Sequence, residues 1–228
     1  MTVSPAAPLI TPISYIRNLR HHVRASWQDK EAIRRFGKEA PLYMQRVYVD
    51  PKELKLQIQP NLSRRMSGKV MHDGWAPKTV SIQENEKISY CVRHWRDGMS
   101  WEDAGAIDFH LTAIKLHGRM DRCKTVGDVI ARLKALDEVW EVVSAEKRLR
   151  SAQEISRLAF REQDGVLVHF GANGQPIFGA GGQHRLGMAL ALELDMIPCQ
   201  LGVCHISAIP QLKNRTLINA TSLVNKPR

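Results

Sequence analysis

The stretch Gly174-Gln-Pro-Ile-Phe-Gly-Ala-Gly-Gly-Gln-His-Arg-Leu-Gly-Met-Ala-Leu-Ala-Leu-Glu-Leu-Asp-Met-Ile-Pro198 decides the fold. Its Ile177-Phe178 pair follows a turn signal and predicts a short strand. From about Gln183, leucines recur at four-residue intervals, which predicts a helix. Proline cannot continue a helix, so this helix must end before Pro198, where another apolar run begins. Between the first strand and the helix lies a glycine-rich elbow, Gly179–Gly182.

This elbow has the sequence features of an anion site. The first N–H groups of a helix lack intrahelical partners, and the helix dipole places partial positive charge there. Glycines allow a phosphate to approach the backbone, so we expect Gly181, Gly182, Gln183, His184 and Arg185 to bind phosphate. A side chain at Gly182 is expected to block that approach while leaving the fold intact. The alternative is a tight strand-to-helix connection in which Arg185 is only solvated.

The motif Gly181-Gly-Gln-His-Arg185, with its alanine-rich helix ending in Leu-Asp-Met-Ile-Pro, resembles the phosphate-binding motif of the ParB/sulfiredoxin superfamily. The firm resemblance covers about residues 160–205, and a looser one covers Arg46-Val-Tyr-Val-Asp-Pro51. It implies an α+β domain of that type that binds ATP or CTP. Gln183 stands where sulfiredoxin has its cysteine nucleophile, so sulfiredoxin chemistry is not expected.

The resemblance implies a phosphotransferase, because some members of the superfamily are small-molecule kinases. Such an enzyme would transfer a phosphoryl group to a small-molecule, phosphorylated or carbohydrate acceptor, and phosphoryl transfer usually uses Mg²⁺. Asp73 and Glu102 are the candidate base or metal carboxylate. His169 is either a catalytic or phosphate-contacting residue or, as more often for such a histidine, a buried structural one.

Two other functions fit the same motif: a ParB-like nucleotide-gated DNA-binding protein, and a nucleotide sensor without chemistry. ParB-like proteins usually carry their DNA-reading helices after the nucleotide motif. Here only 23 residues follow His205, and the predicted helices precede the motif, so DNA binding is the less favoured function.

Composition sets broad limits on the partners. The net charge is +10, and the excess lies at the two ends: residues 1–100 carry 17 Lys/Arg against 9 Asp/Glu, and residues 201–228 carry 4 against none. Basic ends attract nucleic acid, anionic lipid or phosphorylated substrates, and composition does not choose among these. No signal peptide is expected, and four cysteines without a Cys-x-x-Cys pair favour a cytoplasmic protein. No metal site is expected, because Cys199, Cys204 and His205 fit no common zinc spacing.

Residues 1–45 are predicted to form a basic, helical N-terminal extension. A helix over Ile13–Phe36 places one apolar stripe, formed by Ile16, Leu19, Val23 and Trp27, opposite its arginines. We expect this stripe to pack on the domain. The second interpretation rests the helix on an anionic membrane surface.

Residues 46–228 are predicted to form one ParB/sulfiredoxin-like domain of the α+β class, built on a small mixed sheet. A three-helix insertion is expected at about residues 81–141, with Thr125 capping its third helix. A hairpin is expected from 166–170 and 176–178. Residues 57–80 are predicted to be irregular, and their Lys69–Trp75 segment is either a functional loop or a packed surface loop.

Overall fold

The computed structural model describes residues 12–75 and 77–216. The helices are α1 (Pro12–Phe36), α2 (Glu86–Trp95), α3 (Ala106–His117), α4 (Val126–Glu146), α5 (Ala152–Ile155), α6 (Gln183–Ala191) and α7 (Ile209–Thr216). The strands are β1 (Arg46–Val49), β2 (Leu56–Ile58), β3 (Val70–Met71), β4 (Thr79–Ser81), β5 (Val166–Phe170), β6 (Pro176–Phe178) and β7 (Ile197–His205).

The strands form one mixed sheet in the order β1-β7-β5-β6-β2-β4, with β3 on the far end of β7. Strands β5 and β7 pair in parallel, whereas β5 and β6 form the antiparallel hairpin. Both β5 and β7 are buried along their whole length, which matches their nearly continuous apolar sequences. The architecture confirms the predicted α+β fold with a mixed sheet.

Helices α2, α3, α4 and α6 cover one face of this sheet and enclose the main core. Val168 of β5, Leu133 of α4 and Leu186 of α6 are buried together in that core. Helix α6 packs closely on α2 because residue 187 is glycine: a Cβ there would lie 2.5 Å from the Cβ of Cys91. The middles of α6 and α2 are therefore in contact, and Gln183 and Asn85 join the starts of the two helices.

The predicted insertion helices are present, and Thr125 caps α4 with the reciprocal bonds of a capping box. The prediction that residues 57–80 are irregular is wrong in part, because β2, β3 and β4 form there. These strands are only two or three residues long, too short to show a period in the sequence. The proline-rich segment before residue 12 and the tail after residue 216 lie outside the described residues.

Helix α1 forms as predicted, but it presents the opposite face to the domain. Its small residues Ala25 and Ala32 are buried, whereas the apolar stripe is exposed. Polar contacts decide this orientation: Asp29 accepts from the Tyr43 N–H at 2.8 Å and from Arg161 at 2.6 Å. Across the described residues, no helix combines the length and apolar character needed to cross a membrane.

Candidate functional site

The glycine-rich elbow joins β6 to α6 and is fastened to the neighbouring strand β5. The Leu167 N–H donates to the Gly181 carbonyl at 2.9 Å, and the Leu167 carbonyl accepts from the Gly179 N–H at 2.8 Å. Ala180 and Gly182 have φ angles of 57° and 79°, so the chain passes twice through the left-handed region. This local path turns the backbone sharply into the first turn of α6.

The N–H groups of residues 180 to 185 form a row of donors with no acceptor among the described residues. All six residues are partly exposed. They stand at the positive end of α6, a helix of nine residues. The elbow can therefore offer several backbone donors to one anion.

Gly182 is required by the fold itself. A Cβ at this position would lie 2.8 Å from Cα and 3.0 Å from N of Val166, both backbone atoms of the central strand β5. Its left-handed φ is a second reason for glycine. The missing side chain thus allows the elbow to pack on β5, which differs from the expectation that it serves only the approach of phosphate.

Arg64, which no motif in the sequence indicates as a site residue, lies against the elbow. Its guanidinium occupies the place that a side chain on Gly181 would need. It donates to the Gly165 carbonyl at 2.8 Å and to the Gln200 side chain. Burial lowers the pKa of Arg64 from its ordinary value, yet the side chain stays partly accessible. A cation therefore stands directly beside the open N–H groups.

On the opposite flank, His184 joins a polar cluster formed by residues of α2, α3 and the α3–α4 connection. Its Nε2 atom lies 3.0 Å from the Tyr90 hydroxyl and 4.0 Å from Oδ2 of Asp121. Lys87 donates to both Asp121 oxygens at 2.6 and 2.7 Å. His110, which is fully buried, places Nε2 3.5 Å from Asp121. The cluster brings a carboxylate and an ammonium to the elbow.

The charges in this cluster are held firmly. Neighbouring His110 and then Lys87 keep the pKa of Asp121 well below its usual range, so the carboxylate is ionised at neutral pH. Lys87 is only 8% exposed in its side chain, against 24% for Asp121. Burial lowers the pKa of His184 to about 4, so its ring is neutral at pH 7. A neutral imidazole can donate from one nitrogen and accept at the other.

The other two motif side chains are engaged within the domain. Arg185 donates to the Arg150 carbonyl at 2.6 Å and lies 4.0 Å from the buried carboxylate of Glu162. Glu162 also accepts from Arg46 at 2.8 Å. The Gln183 amide donates to the Asn85 side chain, which caps α2, at 3.4 Å. The Arg185 guanidinium is therefore already engaged within the domain, as that of Arg64 is.

His169 is buried in the sheet next to the elbow. Its Nδ1 accepts from the Val203 N–H at 2.9 Å, which leaves the proton of the neutral ring on Nε2. Nε2 finds no acceptor among the described residues, nor does the buried Nε2 of Gln200. Burial lowers the pKa of His169 to about 4. The side chain is 1% exposed, which favours the structural interpretation over a catalytic one.

The structure does not bring Asp73 or Glu102 to the elbow. Asp73 is fully exposed and lies 3.6 Å from His205, at the end of β7. The elbow packs near the start of β7, roughly 20 Å away along the strand. Glu102 is exposed in the turn before α3 and makes no side-chain hydrogen bond within the described chain. Asp73 is therefore too far away to act on a ligand held by the elbow in this structure, and Glu102 forms no hydrogen bond or ion pair with residues 179–185.

A separate cleft of about 660 Å³ lies on the other side of α2. Basic side chains, those of Lys52, Lys55, Arg93 and Arg96, line much of it. None of the motif residues 181–185 contributes to its walls. The cleft is thus distinct from the elbow.

Comparison of the chain with protein-family models, with curated proteins and with solved structures found no match.

Proposed function

We propose that the elbow binds the phosphates of a nucleoside triphosphate, and that the protein is a cytoplasmic, ATP- or CTP-dependent phosphotransferase of the ParB/sulfiredoxin type. Its acceptor would be a small molecule or a carbohydrate. The observation that carries this proposal is the row of unpaired N–H groups from Ala180 to Arg185 at the start of α6. Four buried free cysteines fit a reducing compartment.

A cation on one flank of the elbow supports phosphate as the anion. Arg64 stands at Gly181, whereas the flank at His184 carries the ion pair of Asp121 and Lys87, whose charges cancel. Charge-assisted hydrogen bonds to phosphate are about twice as strong as neutral ones. Arg64 and a row of backbone donors suit a chain of phosphates better than a single carboxylate.

Asp121 replaces Asp73 and Glu102 as the proposed acid–base group. It is ionised, partly exposed and next to the motif residue His184. An ionised carboxylate at this position can accept the proton of an acceptor hydroxyl as that oxygen attacks. Gln183 has an amide that cannot form a covalent phosphoryl intermediate, so transfer is direct from nucleotide to acceptor.

Magnesium fits this arrangement as a metal that arrives with the nucleotide. Mg²⁺ keeps several waters and is held by one or two carboxylates together with substrate phosphates. The described residues contain no group of three or more metal-ligating side chains, and both oxygens of Asp121 accept from Lys87, so phosphate oxygens and water would supply the ligands of the ion. When bound, the ion would neutralise charge on the phosphates.

Thermal unfolding and calorimetry with ATP, CTP, GTP and UTP, each with Mg²⁺, test the binding step. A ligand that binds the native state raises Tm. Arg64→Ala should weaken nucleotide binding by about tenfold or more, the scale of a hydrogen bond to a charged group. The exposed neighbour Arg65→Ala is the matched control and should bind normally. Urea unfolding of each variant separates lost binding from lost folding, and His184→Ala serves as a second site variant.

The proposal fails if no nucleoside triphosphate raises Tm, or if Arg64→Ala and His184→Ala both bind like Arg65→Ala. Transfer from γ-labelled ATP to a panel of sugars and other small hydroxyl compounds tests the chemistry. Asp121→Asn should abolish transfer and retain binding, whereas the exposed Asp108→Asn should retain both. Binding without any transfer would favour a nucleotide sensor, and nucleotide-dependent binding to DNA would favour the ParB-like alternative.

A further inference from the structure

The outward face of α1 carries an apolar stripe that nothing in the described chain covers. Ile16, Leu19, Val23 and Trp27 are 51%, 55%, 57% and 79% exposed. Their spacing of three and four residues places them in one continuous line along the helix. Contiguous apolar surface of this kind usually marks an interaction site.

The stripe cannot turn inward without breaking contacts that hold the opposite face. Asp29 binds both the Tyr43 N–H and Arg161, and Gln28 donates to the Arg65 carbonyl at 3.4 Å. Ala25 packs in a small cluster with Tyr43, Met44 and Phe160. The orientation of α1 is therefore set by the domain, and the exposed stripe is part of the folded surface.

Basic side chains frame this stripe. Arg20 borders the stripe instead of lying opposite it, and Lys30 lies on the same side of α1. Both are exposed and form no ion pair within residues 12–75 and 77–216. Arg34, one turn beyond Lys30, forms an ion pair with Glu31. The outward face thus combines apolar residues with unneutralised positive charge.

We propose that this face of α1 docks on the surface of an anionic lipid bilayer. An amphipathic helix with a basic rim lies in the membrane interface, where its apolar side chains enter the headgroup region. Tryptophan favours that interface because its ring is apolar and its N–H remains hydrated. Each basic residue near an anionic surface strengthens binding by about 1 kcal/mol, or about fivefold. This proposal is independent of the nucleotide site.

The side chains of this face argue against its being covered by a second copy of the chain, by a terminal segment or by nucleic acid. Pairing with a second copy would bring the basic rims of two helices together, and Glu31, an exposed carboxylate of the same helix, is already shared with Arg34 and Arg35. Residues 1–11 contain no Asp or Glu, and residues 217–228 contain none and add two basic residues. A nucleic acid would use the arginines but would leave Leu19 and Val23 exposed to water. An anionic bilayer satisfies both kinds of side chain.

Vesicle flotation of the full chain tests the proposal, with phosphatidylcholine vesicles and with vesicles containing 30% phosphatidylserine. Trp27 is the exposed tryptophan of the described chain, so its emission should shift to the blue on anionic vesicles. Trp27→Ser should remove the shift and most of the binding. Arg20→Glu with Lys30→Glu should weaken binding more than twentyfold, since each change removes a favourable charge and adds an unfavourable one.

The matched controls lie on other helices. Leu116 on α3 is 71% exposed, and Lys134 on α4 is exposed, so Leu116→Ser and Lys134→Glu should bind vesicles as the parent chain does. Equal binding to neutral and anionic vesicles, or equal losses in the controls and the α1 variants, would overturn the proposal. So would a Trp27-dependent dimer that ignores vesicles, or binding to DNA that depends on Arg20 and not on Trp27.

Discussion

Gly182→Ala should lower the free energy of unfolding by about 2–5 kcal/mol, because two separate penalties act at this position. The φ angle of Gly182 is 79°, and a residue with a Cβ loses roughly 1–2 kcal/mol in that region. The added Cβ would also lie 2.8 Å from Cα of Val166. Overpacking against a rigid buried strand costs about 1–3 kcal/mol.

Urea unfolding measures this loss, and two other glycines separate its parts. Gly37 has a similar φ of 75°, but a Cβ there would meet nothing within 4 Å. Gly37→Ala should therefore show only the backbone penalty, about 1–2 kcal/mol. Gly181 has no left-handed φ, and its added Cβ would meet the guanidinium of Arg64, the far end of a flexible side chain. Gly181→Ala should unfold at nearly the parent urea concentration.

The reasoning is refuted if Gly182→Ala is no less stable than Gly37→Ala, since the contact with Val166 would then contribute nothing. The result also decides how binding data at this position can be used. Because a larger side chain at Gly182 is expected to damage the fold, a binding defect there carries no information about phosphate approach. Variants of Arg64 and His184 are the better reporters of the site.

Three further predictions follow from the buried charges. Asp121→Asn should destabilise the fold by about 2–4 kcal/mol, since it leaves buried Lys87 without its partner. The pKa of Asp121 is lowered in the folded protein, so the stability that this carboxylate contributes is present above about pH 4 and is lost on further acidification. Urea unfolding at several pH values measures this loss. His169 and His184 have pKa values lowered to about 4 in the folded protein, so on acidification the unfolded chain binds protons at a higher pH than the folded chain does. The free energy of unfolding should therefore fall as the pH is lowered from about 6.5 to 4, and it should fall less steeply in His169→Gln. Glu162→Gln should destabilise by roughly 3 kcal/mol, because Arg46 and Arg185 lose a buried carboxylate, and Glu102→Gln is the exposed control.

Local signals predicted much of the fold. The hairpin at 166–178 and the start of α6 at Gln183 follow from a turn, a glycine elbow and a four-residue repeat, all within a few residues of one another. Thr125 follows from the same kind of local signal, since a capping threonine stands directly before the apolar helix pattern that begins at Val126. Features of this kind need no knowledge of the tertiary structure.

The orientation of α1 could not be predicted in the same way. The helix has two faces that could be buried, one apolar and one formed by small and polar residues. The choice depends on Asp29 reaching Arg161, which is 132 residues further along the chain. Hydrophobic periodicity identifies a helix and its apolar stripe, but it does not identify what the stripe contacts.

The sequence does not point to Asp121, the carboxylate beside His184, for a similar reason. Asp121 lies in a short connection without a recognisable motif, and its partner Lys87 is 34 residues away. Its φ angle of 49° places it in the left-handed region, which no sequence pattern around Asp121 indicates. Asp73 was selected because its loop contains a histidine and a tryptophan, but the fold carries that loop to the other end of β7.

The motif residues divide into those that the fold uses and those that it leaves free. Gly182 packs on Val166, and Arg185 binds Arg150 and Glu162, so both would be needed in a chain that bound no ligand at all. The N–H groups of residues 180–185 are different, because folding gives them no acceptor. A phosphate would therefore be recognised mainly by backbone, with Arg64 and His184 supplying the side-chain contacts. This division explains why a short motif can resemble a nucleotide site while only part of it reports on ligand binding.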